Sequence, residues 1–396
     1  MRLFLFLIVL AGGGWLVYDR MIKEEPLVEP NRGGSVEKPP EKPTQKPVIV
    51  AETPSSMLEN GLFSRALQLL EKVPASQRNQ EWSLQKVRAL DGLGNRNEAL
   101  QALEPILAKA SQAQKPDLLW LKGNILLDAG EKSKAGKALY QIFSTYPSSS
   151  HHTPACYKLK DLWKPLIQDR NSSVQDLINY NKVLGHLVYT AVDDSILSEC
   201  YQLLGRMNSK IFQGSETIEG ILAFHKVNYG ENLTTIAKKF KVAPNRIVRI
   251  NGLRNRNDIR ANQTLRILKG NLRMVVDKRR FNMDVYLGDL FFAHYGVGLG
   301  RGNKTPETVT SLSRGMAMDP SYTDPVSFEV FPASHEKNPI GTRWMPLQIG
   351  RGFGIHGTRE PDSIGKESSN GCVRMLNADV EVIYDYAMTG DEVEIR

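Results

Sequence analysis

Cysteine and histidine are both scarce in this chain, three and seven residues among 396. No CxxC and no HxxxH spacing occurs, so the close-set ligand pairs of structural zinc sites are missing. No metal ion and no cofactor is expected from these patterns. A comfortable membrane span is missing too. The N-terminal run over residues 3–18 holds sixteen uncharged positions, whereas a spanning helix needs about twenty. No small-x-small cleavage site follows it, only an internal "AGGG". Residues 1–21 therefore read as a signal peptide or an uncleaved signal anchor. The absent cleavage site, with Trp15 and Tyr18 placed for a membrane interface, favours the anchor. Either way the rest of the chain is expected to be exported to the cell envelope, facing the periplasm or the wall.

The length suggests two to four domains. A hydrophobic content of 41% with 24% charged residues is ordinary for folded protein and excludes disorder as the default. The net charge of +8 is unevenly spread: residues 221–270 carry eleven basic and two acidic side chains, residues 271–396 fourteen and seventeen. The basic segment is expected to face an acidic partner. Nucleic acid is excluded as that partner by the expected export.

Residues 22–56 hold seven prolines among Lys, Glu, Ser and Thr, without apolar periodicity, and read as an extended linker. Residues 57–213 have a helical pattern. "GLFSRAL" at 61, "GNRNEAL" at 94 and "GEKSKAG" at 130 each set a glycine five residues before an alanine, at offsets of 33 and 36. That period weakly resembles tetratricopeptide repeats, in which small residues let paired helices approach closely. The region is expected to act as a helical spacer or scaffold, with a concave surface for a protein partner as the alternative.

Within residues 221–270 a strand, two helices and a closing strand follow in under fifty residues. Val227, Tyr229, Gly230, Leu233, Ile236, Ala237, Asn251, Ile259, Gln263 and Leu265 make this segment closely resemble a LysM module. That family binds N-acetylglucosamine-containing glycans, chiefly peptidoglycan. The resemblance implies a small α+β (βααβ) fold and glycan contacts from two loops, Tyr229, Gly230, Glu231 and Asn232 in one, Gly252, Leu253, Arg254 and Asn255 in the other. Asn262 stands where the family has glycine, and asparagine tolerates the left-handed backbone needed there.

From residue 271 short apolar runs, "LRMVVD", "FNMDVYL" and "LFFAHYGV", read as a strand meander. A helix capped by Asn377 and a last strand "EVEI" are expected to end the chain. Between them lies "GIHGTREPDSIGKESSNGCVRM". A thiol needs a base to become a nucleophile near neutral pH. The turn-forming loop between His356 and Cys372 could fold back to bring the two together. The Gly357 carbonyl could hold the second imidazole N–H, and the N–H groups of Asn370, Gly371 and Cys372 could converge on an oxyanion. One cysteine and one histidine are too few for zinc here.

"IHGT" followed by "SNGCVRM" and preceded by "NPIGTRWM" resembles the catalytic domain of L,D-transpeptidases, which make 3→3 peptidoglycan cross-links on a β-rich scaffold. By that resemblance Cys372 is the nucleophile, His356 the general base and Gly357 its orienting carbonyl, while Ser369, Asn370, Gly371 and Arg374 shape the substrate site. Asn370 occupies a position often held by a second histidine, and "TPETVTSL" is a variant of the family's usual "TPxGxF". L,D-carboxypeptidase activity or lipoprotein attachment could use the same cysteine, and an inactive peptidoglycan-binding scaffold is the reading from another class. Cys156 and Cys200 would be a disulfide pair after export or two small buried hydrophobes. The expected architecture is thus multidomain: membrane anchor (1–21), linker (22–56), all-α repeat region (57–213), LysM module (221–270) and mostly-β catalytic domain (271–396).

Overall fold

The computed structural model describes residues 53–396 except 192, 325, 326, 334 and 351. The expected anchor at 1–21 and nearly all of the linker lie outside the described residues. Among the described residues no helix is long and apolar enough to cross a membrane.

Helix begins at Pro54, inside the stretch read as linker. Three helix pairs follow: α1 (Pro54–Glu59) with α2 (Phe63–Glu71), α3 (Gln80–Gly92) with α4 (Arg96–Lys109), and α5 (Lys115–Asp128) with α6 (Lys132–Thr145). The repeated glycines sit in the turns within these pairs. Gly61, Gly94 and Gly130 have φ of +73°, +80° and +77°, which only glycine adopts cheaply. Just after them, the N–H groups of Leu62, Asn95 and Glu131 reach back to the carbonyls of Met57, Leu90 and Leu126 at 2.8, 2.9 and 2.8 Å, the long bond of a Schellman turn. Ala66, Ala99 and Ala135 are wholly buried. The repeated glycines therefore turn the chain, while other glycines within the helices, Gly92 and Gly123, leave room for Phe63 and Leu139 of the neighbouring helix.

Helices α7 (His152–Trp163), α8 (Val174–Thr190) and α9 (Asp194–Phe212) complete the all-α part. They share one continuous apolar core with the β-domain that follows. This half of the helical region is built into the β-domain, which is more than a spacer does. Cys156 on α7 and Cys200 on α9 are both free and wholly buried. The disulfide alternative is thereby set aside in favour of two packed thiols.

The next segment folds as β1 (Leu222–Lys226), α10 (Leu233–Phe240), α11 (Pro244–Ile250) and β2 (Thr264–Leu268), with β1 and β2 antiparallel. It has a small core of its own around Ile236, Ile247 and Leu265. Asn232 caps α10 through its side chain, which accepts from Thr235 N at 2.9 Å, and Asn262 has the left-handed φ of +68°.

In the β-domain, β3 (Leu272–Asp277), β4 (Asn282–Leu287) and β5 (Leu290–Gly296) form the meander. The short β6 (Leu299–Gly300) and β7 (Thr308–Ser311) follow, then β8 (Ala317–Met318), β9 (Tyr322–Thr323), β10 (Val330–Phe331), β11 (Arg343–Pro346), β12 (Gly354–His356), β13 (Glu367–Ser369) and β14 (Val373–Arg374). Helix α12 (Asn377–Tyr386) and β15 (Glu392–Ile395) come last. One sheet has the order β5-β4-β3-β15-β7, a second β14-β12-β11-β8. The last strand thus runs parallel to β3 and antiparallel to β7 inside the first sheet.

Two side-chain devices join the parts. Asn181 on α8 accepts from Phe291 N at 2.8 Å and donates to Phe291 O at 3.0 Å, so its amide takes the place of a neighbouring strand along β5. On α11, Arg246 is wholly buried. Its Nε donates to Tyr386 O at 2.9 Å, Nη1 to Gly270 O at 2.6 Å, and Nη2 again to Tyr386 O. Asn245 and Arg249 add contacts of 2.8 Å each to Asp385. The small βααβ unit is thereby fixed to the end of α12.

Replacing Arg246 by Met should strand the buried Tyr386 carbonyl and release that of Gly270, at a cost of about 2 kcal/mol. Denaturant unfolding should then split, with the βααβ unit melting before the β-domain. A single transition at the wild-type midpoint would show that the clamp contributes nothing.

Candidate active site

The second sheet brings the reactive residues together. Strand β12 lies between β14, parallel, with His356 opposite Arg374, and β11, antiparallel, with Trp344 opposite His356. Carrying the parallel register back one pair sets Cys372 beside Gly354. Side chains alternate across a strand, so His356, Cys372, Arg374 and Trp344 all project from one face. His356 and Cys372 are diagonal neighbours there, as close as non-paired positions on two strands can be. The Trp344 ring packs over Gly354, where a Cβ would come within 2.5 Å of it, and its centroid is 5.8 Å from that of His356.

His356 is only 5% exposed. Its Nδ1 lies 2.5 Å from Gly357 O. A carbonyl can only accept, so Nδ1 carries the proton and the Nε2 lone pair is left for chemistry. Burial pushes the imidazole pKa down to about 4, with the Gly357 carbonyl opposing the shift and Arg374 adding to it. Cys372 is partly exposed, its Sγ donating to Gly352 O at 3.0 Å. Burial raises its pKa, against opposing effects of the Gly354 backbone and Arg374. At neutral pH the two rest as thiol and neutral imidazole.

The loop before Cys372 is held by two buried hydroxyls. Ser369 Oγ accepts from Gly371 N at 3.0 Å and donates to Cys372 O at 2.7 Å. Thr305 Oγ1 donates to Gly371 O at 3.0 Å and accepts from Gly300 N at 2.8 Å. Gly371 itself has φ of +131°, and a Cβ there would lie 2.8 Å from the Phe353 ring, so no other residue fits. Its N–H is engaged by Ser369, which removes it from the three amides expected to converge on an oxyanion. Asn370 is exposed.

Arg374 Nη1 is 2.8 Å from Glu360 Oε2 and 3.4 Å from Ser368 Oγ, while its buried Nε has no partner among the described residues. Asn377 does not cap α12: Leu376 is the cap residue and makes no side-chain bond. Instead, Asn377 Oδ1 accepts from Thr342 N at 3.2 Å, and would stand 2.2 Å from a Cβ at Gly357. The asparagine is drawn from capping because it braces the segment that carries the His356-orienting carbonyl.

Three contributions were missed in the sequence. Thr305 lies 66 residues from its partner Gly371, and although it opens the "TPETVTSL" stretch its hydroxyl was given no role. Asn377 was read in the wrong role. The hairpin of β9 and β10 supplies Tyr322, whose phenol is raised by burial, by Asp324 and by Cys372 itself. It stacks at 6.3 Å on Phe331.

In the βααβ unit the first expected glycan loop follows the hairpin end where Lys226 faces Thr264, and the second follows the end of α11. Tyr229 is 97% exposed. Gly230, Asn232, Gly252, Arg254 and Asn255 are exposed as well. Glu231 and Leu253 are turned to internal work: Glu231 Oε2 lies 2.8 Å from both His225 Nε2 and Asn228 N, and Leu253 packs on the small core. Arg254 is paired to Asp258 at 3.0 Å.

A thiol and a neutral imidazole on one face of a β-sheet, with the ring's tautomer set by a carbonyl, are the equipment of thiol-based acyl transfer. The family model for the L,D-transpeptidase catalytic domain (YkuD) matches residues 271–395, and that for the LysM domain residues 225–268. The putative L,D-transpeptidase YqjB of Bacillus subtilis is 32% identical over 133 residues, covering 32% of this chain and 73% of that protein. The putative L,D-transpeptidase YkuD of Bacillus licheniformis is 27% identical over 184 residues, 44% of this chain and 99% of that one. An L,D-transpeptidase structure from Mycobacterium smegmatis aligns at 14% identity and a TM-score of 0.26, over 34% of this chain; this chain spans 63% of that one. The chain belongs to the L,D-transpeptidase family.

With an imidazole pKa near 4, His356 is neutral and able to accept a proton through the whole range above about pH 5. The acid limb of single-turnover acylation by a carbapenem should therefore centre close to pH 4. Folding stability should fall as pH drops from about 6.5 towards 4, because the unfolded imidazole takes up a proton that the folded site resists. A limb centred at about 6.5 would mean that the ring titrates as if in water.

Proposed function

We propose that this chain is a peptidoglycan L,D-transpeptidase that forms 3→3 cross-links through a Cys372 acyl-enzyme. The observation that carries this reading is the parallel register that sets His356 and Cys372 on one face of the sheet, with the His356 Nδ1 proton held by Gly357. Nε2 takes the thiol proton as Sγ attacks the carbonyl between the third residue and the terminal D-alanine of a tetrapeptide stem. The C–N bond breaks, the proton passes to the departing amine, and D-alanine leaves. A side-chain amine from the third residue of a neighbouring stem then attacks the thioester, giving its proton to His356 and restoring the thiol.

In this scheme the amides of Cys372 and Asn370 face the oxyanion, while Ser369 and Gly371 keep the loop in shape. Arg374, already paired to the exposed Glu360, offers its remaining N–H groups to a stem carboxylate. The LysM domain holds the glycan strand with Tyr229, Gly230, Asn232, Gly252 and Asn255, and its basic side chains draw the acidic wall polymer. Export by the N-terminal segment would bring the enzyme to that substrate in the envelope.

Cys372→Ala should lose all mass gain from a carbapenem, and His356→Ala should slow acylation about a hundredfold or more. Given tetrapeptide stems, the wild type should yield cross-linked dimers. Tripeptide alone would assign it to the L,D-carboxypeptidases, and turnover by Cys372→Ala would refute the nucleophile. An inert wild type would leave the scaffold reading.

Because Arg246 ties the LysM domain to α12, point variants are a cleaner test of glycan binding than deletion. Tyr229→Ala with Asn255→Ala should abolish sedimentation with insoluble peptidoglycan in high salt and leave Cys372 acylation unchanged. Undiminished sedimentation would place the glycan surface elsewhere.

A further inference from the structure

A second group of reactive side chains lies apart from the Cys372 site, within the helical region. His152 and Cys156 are four residues apart on α7, so they project from one helix face, one turn apart. His186 reaches them from α8. One nitrogen from each histidine and Cys156 Sγ lie within 4.8 Å of one another. Cys156 is wholly buried and His152 is 7% exposed. The two imidazoles meet edge-on, centroids 4.6 Å apart at 89°.

The hydrogen bonding of this cluster is incomplete in a directed way. His152 Nε2 is 3.1 Å from Phe143 O, so it donates there and leaves its Nδ1 lone pair unprotonated. Metal-binding histidines are commonly oriented by such a bond from the other ring nitrogen. His186 Nε2 is buried and has no partner among the described residues. The Phe143 ring stacks on His152 at 5.2 Å and meets His186 edge-on at 5.8 Å, closing one side with hydrocarbon.

We propose that His152, Cys156 and His186 bind one closed-shell cation of borderline or soft character, Zn2+ or Cu+. Two imidazoles and a thiolate are the donors such ions prefer. Bonds of about 2.0–2.3 Å place neighbouring donors about 3.3–3.8 Å apart, so the three side chains close by about 1 Å on binding. Binding releases the Cys156 proton to solvent and involves no change of oxidation state. The bound ion would join α7 to α8, the helix whose Asn181 supports β5. The sequence search for CxxC and HxxxH passed over this site because its pair is HxxxC and its third donor lies thirty residues on.

The test uses the whole folded protein, stripped with a chelator and then dialysed against Zn2+, Cu+ under anaerobic conditions, or Co2+ as a spectroscopic probe. One equivalent should bind, Co2+ should give a thiolate charge-transfer band in the near ultraviolet, and the melting temperature should rise. Cys156→Ser should abolish that band, and His186→Gln should weaken binding at least about tenfold. Competition between the Zn2+ and Cu+ arms decides which ion the site prefers. No uptake by the wild type, uptake without the cobalt–thiolate band, or a band that survives in Cys156→Ser would each overturn the site. Should His186→Gln fail to fold, the wild-type cobalt spectrum and Cys156→Ser decide.

Discussion

One buried guanidinium holds this architecture together. A positive charge withdrawn from water is tolerable only when its hydrogen-bonding capacity is met, and Arg246 meets its own with the carbonyls of Tyr386 and Gly270. Burial depresses its pKa, while Asp391 opposes the shift. Asp391 in turn accepts from Leu272 N at 3.0 Å and Met388 N at 2.7 Å, at the start of the first sheet. The LysM domain, the junction to the β-domain, the end of α12 and the root of β3 therefore converge on one ion. Since α12 begins at Asn377, which lies against Thr342 and Gly357, the same helix is anchored near the LysM domain at one end and near His356 at the other.

The electrostatics of the site follow from burial more than from charge. Among the described residues no carboxylate stabilises an imidazolium at His356; the backbone of Gly357 and of Ile340 does so weakly, and Arg374 repels a positive ring. The arrangement favours a neutral pair at rest. Such a thiol resists idle oxidation, because reactivity towards oxidants depends on the thiolate.

How much of this was readable in the sequence depended on range. The meander from Leu272 to Gly296, the βααβ unit and the left-handed Asn262 are local patterns, and each is where its residues point. The returning loop between His356 and Cys372 was also legible from its glycines and turn formers, and β12 and β14 pair in parallel at its two ends. What stayed hidden needed partners far along the chain. Nothing beside Thr305 tells that its hydroxyl will meet Gly371, and nothing beside Asn377 tells that Thr342 will outbid its own helix. The helical region shows the limit most clearly. Its repeat could be seen, yet the glycines proved to be turns, and its fusion to the sheet rests on Asn181 and a shared apolar core.

The amide of Asn181 has a bearing on life at high concentration. β5 is the outer strand of its sheet, and an outer strand with free N–H and C=O groups invites another chain to add to it. At Phe291 both groups are already occupied by one side chain, and α8 lies across the edge. A second copy meeting that edge finds no continuous row of partners. The outer edge of the sheet is thereby closed to strand addition at Phe291.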